Sequence, residues 1–347
     1  MRYSRVYLES MAYELPPIVV TSEELEERIA PAYKTLNIPQ GQLEELTGIV
    51  ERRFWPEGFR VSQGATLAAK KLLQSCHVPA GEIDVLIYAG VCREGFEPAT
   101  ATFVASSLGI KDSSLVYDIS NACLGVLNGI LDIANRIELG QSRAGMVVSC
   151  ESSREINEIT IKKLLSQTNM RVFIQSLATF TGGSGAIAVL LTDGSFSREH
   201  RPKLLAGAVS CAPEFCELCQ WGILPKENGL YTQQMHTDSV AVLENGVKLG
   251  KKTWDRFLES IAWTPQMVDK TICHQVGSKH RETILNTIQI SLEKDFVTYP
   301  FLGNIGTVSL PITSAIANER GFLKSDDKVA WLGIGSGLNC MMIGWEW

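Results

Sequence analysis

The stretch Leu115–Gly140, reading LVYDISNACLGVLNGILDIANRIELG, decides the fold. It runs from a short β-prone segment through a polar hinge to a cysteine and then an amphipathic helix. From Leu124 the apolar residues recur at helical spacing (Leu124, Leu127, Leu131, Ala134, Ile137), and Gly140 stands where a C-terminal cap belongs. Cys123 therefore sits where a helix begins. Backbone N–H groups there have no helical partner, and the helix macrodipole favours a thiolate over a thiol. The spacing thus predicts a nucleophile of lowered pKa. The competing reading of any single cysteine is a small buried hydrophobe.

Composition narrows the classes. A chain of 347 residues accommodates one large α/β domain or two closely packed halves. A formal charge of −6 argues against a nucleic-acid surface. Nine cysteines follow no regular framework, and the first residues, MRYSRVYLES, contain no apolar signal segment. No apolar run approaches the length that spans a bilayer. These features predict a reduced, cytoplasmic protein with no transmembrane segment.

In chain order, residues 3–12 predict a first strand, and Thr21-Ser22-Glu23-Glu24-Leu25 a capped helix start that Pro31 interrupts or ends. TGIVERRF, ending at Phe54, reads as a strand or as a loop edge. Helices are expected over 62–75 and 99–108, with a buried strand between them at IDVLIYA, from Ile83. A second buried strand covers Ala144 to Ser149. A helix-leaning insert with a broad apolar face follows over 151–181, then GGSG leads into the strand AIAVLL. The order then repeats: a strand from Lys203, a helix over about 241–261, and a strand over 268–273.

The repetition can be read in the letters. IDVLIYAGV, from Ile83, corresponds to VDKTICHQV, from Val268, 185 residues later. The same offset carries Cys123 to Val308, inside GNIGTVSLPITSAIANERG, another glycine-rich hinge followed by a helix. GGSGAIAVLL is echoed by GIGSGLNCMMI near the C-terminus. Two copies of one α/β unit, 1–195 with the 151–181 insert and 196–347, are expected to pack face to face. Equivalent strand-to-helix hinges then meet at the pseudo-twofold axis.

Three hinges carry useful chemistry: Cys123, His274 in ICHQVG, and Asn304 in LGNIGT. A sulfur nucleophile needs an imidazole to manage protons and donors aimed at the oxygen that becomes negative. Taken singly, His274 reads equally as a satisfied core histidine and Asn304 as a turn residue. Together, at matching hinges of a duplicated unit, they read as one site.

NACLG at Cys123, HQVG at His274, GNIG at Asn304 and GIGSG at Gly333–Gly337 resemble, in order and spacing over essentially the whole chain, the thiolase superfamily and its 3-oxoacyl-acyl-carrier-protein synthase III branch. The resemblance implies a duplicated five-layered αβαβα fold, a homodimer and a Cys-His-Asn triad. Cys123 would carry the acyl group as a thioester. His274 and Asn304 would form an oxyanion hole for the enolate of the second substrate. The backbone N–H groups of Cys123 and Ser336 would form the other, for the acyl carbonyl. No cofactor is implied beyond acyl-CoA or acyl-carrier-protein substrates.

Ordinary synthase III enzymes carry an aromatic before the proline of the loop after the third strand, reaching into the partner's acyl pocket. Here that position is Glu97, in GFEPAT. A carboxylate beside an acyl pocket is costly unless it has work to do. The pattern FEPAT, with GNIGTVSLP, LGIGSGLNC and TSEELEERIAP, resembles the olefin-biosynthesis branch, which joins two long-chain acyl-CoA molecules head to head. Decarboxylating synthases need no strong base, whereas joining two plain acyl thioesters requires removal of an α-proton. The resemblance implies that Glu97 of the partner subunit is that base. The expected activity is a non-decarboxylative Claisen condensation giving a 2-alkyl-3-oxoacyl product, with downstream pathway enzymes as further partners. The alternatives are a decarboxylating 3-oxoacyl synthase and an idle acyl-binding partner.

Weaker signals attach to Leu164, Phe173 and Leu177 as an acyl-channel lining and to Arg52, Arg53 and Arg60 as contacts for the CoA phosphates. Cys211, Cys216 and Cys219 lack the second ligand pair of a zinc site, so no metal is expected. His280, six residues after His274, is expected on a different helix face. GGSG and GIGSG lack the lysine of a phosphate-binding loop and precede strands, so they are not read as phosphate cradles.

Overall fold

The computed structural model describes residues 1–196, 199–225 and 229–347. Its strands, in chain order, are Tyr7–Glu14 (β1), Ile18–Thr21 (β2), Glu51–Phe54 (β3), Val85–Ala89 (β4), Leu115–Ile119 (β5), Ala144–Glu151 (β6) and Gly185–Thr192 (β7). Lys203–Cys211 (β8), Cys219–Pro225 (β9), Tyr231–Thr237 (β10), Lys270–Cys273 (β11), Lys328–Gly335 (β12) and Asn339–Glu346 (β13) follow. Nine of them form one sheet in the order β11-β12-β13-β8-β1-β7-β6-β4-β5. β4 pairs in parallel with β5 and β6, and β11 with β12, while β1, β7, β8 and β13 run antiparallel to their neighbours. The two arms join where β1 lies beside β8, through the pair Tyr7 with Lys203 and a bridge from Arg2 to Ala206.

Side-chain alternation along the strands builds the layers. In β4, Val85, Ile87 and Ala89 face the central core while Leu86 and Tyr88 face the opposite side. Ile187, Val189 and Leu191 of β7 alternate with Ala186, Ala188 and Leu190 in the same way. β12 and β13 repeat the pattern, with Val329, Trp331, Met341, Ile343 and Trp345 inward. Between the inner faces lie the helices Gly125–Glu138, buried except for a polar stripe through Asn128, Asp132, Asn135 and Arg136, and Ser309–Glu319, buried nearly all round. Helices with so wide an apolar face have to be covered on more than one side, and here the two arms of the sheet cover them. Helices Val61–Ser75 and Thr100–Leu108 cover one outer face, and Ser239–Ile261 and Ser278–Thr287 the other. The result is five layers, helix-sheet-helix-sheet-helix.

Several expectations shift in detail. The first strand starts at Tyr7, later than its alternation suggests, because Tyr3 and Val6 bond instead to Leu205 and Leu204 of β8 in the opposing arm. Thr21 does cap a helix, through a reciprocal capping box with Glu24, and Pro31 opens a second short helix, Ala30–Leu36. The 151–181 insert forms two helices, Arg154–Ser166 and Met170–Phe180. GIGSG does not simply precede a strand: it holds the end of β12 and the turn into β13. The joint expected at residues 195 and 196 adjoins positions 197 and 198, which lie outside the described residues. No helix among the described residues is long and apolar enough to cross a membrane.

At the inner edge of β7 the chain tolerates no side chain. A Cβ on Gly183 would strike the carbonyl oxygen of Leu302, and the Gly183 N–H donates to the Asn304 carbonyl at 2.9 Å. Gly183→Ala should therefore cost about 1–3 kcal/mol through overpacking. Gly81→Ala, where an added methyl meets nothing within 4 Å, should cost far less. Denaturant midpoints of the two variants make the comparison.

Candidate active site

The hinge before the first central helix is tightly wound. Ala122 adopts φ +45°, an uncommon value for a residue with a side chain, and it directly precedes Cys123. Residues held there cost roughly 1–3 kcal/mol and persist only where the surroundings impose them. The imposing groups are identifiable. Asn121 donates its side-chain amide to Asn128 Oδ1 at 2.7 Å, and its own Oδ1 accepts from Asn339 Nδ2 at 3.2 Å. That Asn339 amide also donates to the Ser336 carbonyl at 3.3 Å. One amide chain thus ties the cysteine hinge to the turn holding Ser336. A Cβ on Gly335 would lie 3.4 Å from the Cys123 nitrogen, so glycine lets the two turns touch.

The other two hinges are joined to the first by the backbone. His274 follows β11, its N–H donating to the Leu332 carbonyl at 2.9 Å on neighbouring β12. Next to it, Gln275 accepts from the N–H groups of Thr298 and Tyr299 at 3.0 and 3.3 Å, leading toward Asn304. The Asn304 N–H donates to the Thr181 carbonyl at 2.8 Å, and its Oδ1 accepts from the Gly306 N–H at 3.1 Å. Gly303 holds φ +69° with the Thr181 carbonyl against it, which leaves no room for a side chain before Asn304. Finally, Thr307 Oγ1 accepts from the Val126 N–H at 2.8 Å, which stitches the two central helix starts together.

The electrostatics reverse one sequence expectation. Cys123 precedes the helix that starts at Gly125, yet its pKa is pushed up to about 12, first by burial and then by the nearby Cys219 thiol and Glu151 carboxylate. Desolvation of the anion outweighs the helix end. His274 moves the other way, down to about 4, through burial and then through the charge of His280. His280 is thus close to His274, not turned away from it, because His274 lies in the loop before the helix Ser278–Thr287. Both groups rest neutral, thiol and imidazole. Buried Glu151, the last residue of β6, accepts from the N–H groups of Val91 and Cys92 at 2.9 and 3.1 Å. Glu97 is exposed on the loop those residues begin, and Phe96 beside it is 96% exposed.

Other readings need correction. Arg52 is wholly buried, with its guanidinium donating to Ser22 Oγ and to the Phe180 and Val20 carbonyls, so it is structural and unavailable to a phosphate. Burial lowers its pKa to about 10. Arg60 is engaged by Glu94 at 2.8 Å, and Arg53 by the Pro16 carbonyl at 3.3 Å. Leu164 and Phe173 are buried in a satellite core with Leu25, Ile29 and Tyr33, and Leu177 packs on its edge. No group of three or more His, Cys, Asp or Glu among the described residues could hold a metal ion. Sequence reasoning missed the β9–β10 hairpin, which starts at Cys219 and packs on both helices of the insert. The available signal was Asn228-Gly229 between two β-prone runs.

Comparison with known proteins sharpens the assignment. Residues 258–347 match the model of the 3-oxoacyl-[acyl-carrier-protein] synthase III C terminal. An acyl-CoA:acyl-CoA alkyltransferase of Shewanella oneidensis is 53% identical, with each chain covered in full. The alkyltransferase of Xanthomonas campestris is 32% identical, again over 100% of both. The chain belongs to the acyl-CoA:acyl-CoA alkyltransferase family. A crystal structure of Xanthomonas campestris OleA superposes with a TM-score of 0.94 at 31% identity, covering 100% of this chain and 98% of that one. Another crystal structure of that protein holds lauric acid and lauroyl-CoA. The fold is therefore the thiolase fold, and the alkyltransferase is an acyltransferase of the kind that condenses two acyl-CoA molecules head to head.

The depressed pKa of His274 bears on stability. An unfolded imidazole titrates near its ordinary 6.5 and the folded one near 4, so the unfolded chain binds the extra proton between those values. The contribution is complete above pH 6.5 and is lost as pH falls toward 4, by at most about 3 kcal/mol. His274→Gln should flatten this part of the profile when denaturant midpoints at pH 7 and pH 4.5 are compared. An equally steep loss in the variant would contradict the assignment.

Proposed function

We propose that the chain acts as a homodimer in the cytoplasm, that Cys123 takes the first acyl group, and that Glu97 of the partner subunit starts the attack by the second. Similarity over the full length to an acyl-CoA:acyl-CoA alkyltransferase carries this reading, with the cysteine and asparagine hinges tied by the Val126–Thr307 bond and the histidine hinge tied through Gln275 to the segment before Asn304. Cys123 Sγ attacks the thioester carbonyl of one long-chain acyl-CoA. Its proton passes by way of neutral His274 to the departing coenzyme A thiolate, and the carbonyl oxygen takes N–H bonds from Cys123 and Ser336.

A second acyl-CoA then loses its α-proton to the partner's Glu97. His274 and Asn304 donate to the enolate oxygen, which spreads the developing charge in a site of low dielectric. The α-carbon bonds to the acyl carbonyl carbon, the Cys123 thiolate leaves and is reprotonated, and a 2-alkyl-3-oxoacyl-CoA is released. One coenzyme A is freed per product and no carbon dioxide is formed. No cofactor takes part in any of these steps. Enzymes that process β-keto thioesters would consume the product.

Two observations support the dimer. Glu97 has no place among this chain's own buried groups, and the fully presented Phe96 beside it is the kind of aromatic that anchors an interface. In addition, β5 is a free sheet edge with Leu115 48% exposed, an arrangement that soluble proteins generally cover. The N- and C-terminal halves, 1–195 and 196–347, meet at the site, the first supplying the nucleophile and the second His274 and Asn304.

Long-chain acyl-CoA as sole substrate tests the whole scheme. Release of coenzyme A with a doubled-chain β-keto product is expected, and strict dependence on a malonyl donor would return the chain to the decarboxylating synthases. Cys123→Ala should abolish acylation. Glu97→Ala should acylate but fall by about 10²–10⁴ in condensation, the usual worth of a general base. Intact-protein mass and product mass read the two steps separately.

A further inference from the structure

We propose that Glu151 is a positioning residue for carbon–carbon bond formation, its buried carboxylate fixing the stem of the Glu97 loop against the Asn304 hinge. The inference rests on the reading of Glu97 as the base and adds what holds that base in register. Glu151 is 3% exposed, and both its oxygens are committed, Oε1 to the Val91 N–H at 2.9 Å and Oε2 to the Cys92 N–H at 3.1 Å. These two residues begin the loop whose tip, five positions on, is Glu97. A second clasp holds the same stem, with Cys92 Sγ donating to the Ser152 carbonyl at 3.3 Å and accepting from the Ser152 N–H at 3.4 Å.

The other side of the carboxylate faces the site. A Cβ on Gly306 would lie 3.3 Å from Glu151 Cγ and 3.4 Å from Cδ, and Gly306 is the residue whose N–H holds Asn304 Oδ1. From below, the Trp55 indole N–H donates to the Glu151 carbonyl at 3.1 Å, so its backbone cannot drift. Beyond the stem the loop has little to steady it: Glu94 bonds to Arg60 and to the Ser62 N–H, and residues 95–98 are exposed. A buried carboxylate with two backbone donors and no role in acyl transfer is expensive unless its geometry is used. Burial raises its pKa while the Val91 and Cys92 donors oppose that shift. Its charge in turn reaches Tyr88, Cys92, Cys150 and Cys123, adding at each to the larger effect of burial.

Glu151→Gln keeps the volume but replaces one acceptor with an amide NH₂ that opposes a backbone N–H. Acylation of Cys123 by acyl-CoA, followed by intact mass, should be retained and no slower than in the native protein. Condensation should fall on the order of 10²-fold, the usual consequence of a small misplacement of reacting groups. Alkylation of Cys123 by iodoacetamide should also move to lower pH, since a neighbouring negative charge is gone. Glu151→Asp keeps the charge and shortens the reach, so it should slow condensation without moving the alkylation profile; it also serves if the glutamine variant does not fold. Native condensation by both variants, beside a Glu97→Ala variant that condenses poorly, overturns the role of Glu151 and leaves the base assignment standing. Normal condensation by Glu97→Ala overturns the base assignment and this inference with it.

Discussion

The structure depends on enclosing two apolar helices, Gly125–Glu138 and Ser309–Glu319, between two arms of one sheet. Each helix presents a wide apolar face, and each fully buried Leu or Ile on it stabilises the fold by about 1.5–3 kcal/mol relative to exposure. Burial against both arms satisfies them, and it has a geometric consequence. Both helices begin at the same level of the molecule, next to the ends of β11 and β12. The hinges that carry Cys123, His274 and Asn304 are therefore neighbours because the core demands it. The bond from the Val126 N–H to Thr307 Oγ1 fixes this register in the layer itself.

Once the hinges meet inside protein, desolvation governs their charge. The thiol of Cys123 and the imidazole of His274 are both driven toward their neutral forms, by the same physical cause with opposite signs of shift. A neutral imidazole has one N–H to donate and one lone pair to accept with, which suits the proton transfer and oxyanion binding that the proposed mechanism asks of it. A thiol held neutral is also poorly reactive toward chance electrophiles, since the thiolate is the attacking species. In the proposed mechanism, reactivity then waits for a substrate whose carbonyl reaches the N–H groups of Cys123 and Ser336.

Around this duplicated frame the chain adds parts that occur once: the helices of the 151–181 insert, the short N-terminal helices packed on them, and the β9–β10 hairpin. Here the sequence reading was least secure, for a physical reason. An apolar stripe on a helix looks the same whether it faces another helix or a ligand, and Leu164 and Phe173 face Leu25, Ile29 and Tyr33. Arg52 misled in the opposite direction. An arginine in a short strand normally signals solvent or an anion, but this one spends its donors on two carbonyls and a hydroxyl under the insert. The hairpin escaped notice because its second strand, Tyr231–Thr237, is polar at most positions without clean alternation, so the Asn228-Gly229 turn signal had no matching strand pattern beside it.

Local letters were enough for much of the molecule. Continuous apolar runs marked the buried strands β4, β6 and β7, helical periodicity marked Gly125–Glu138, and the echo between IDVLIYAGV and VDKTICHQV marked the duplication. These are signals carried by neighbouring residues, so a linear reading finds them. Tertiary structure decided the rest: the protonation states of Cys123 and His274, the nearness of His280, the burial of Arg52, and the embrace of the Glu97 loop by Glu151. Each depends on how far a group is from water and on which distant segment supplies its partner, and neither quantity is written in the order of the residues.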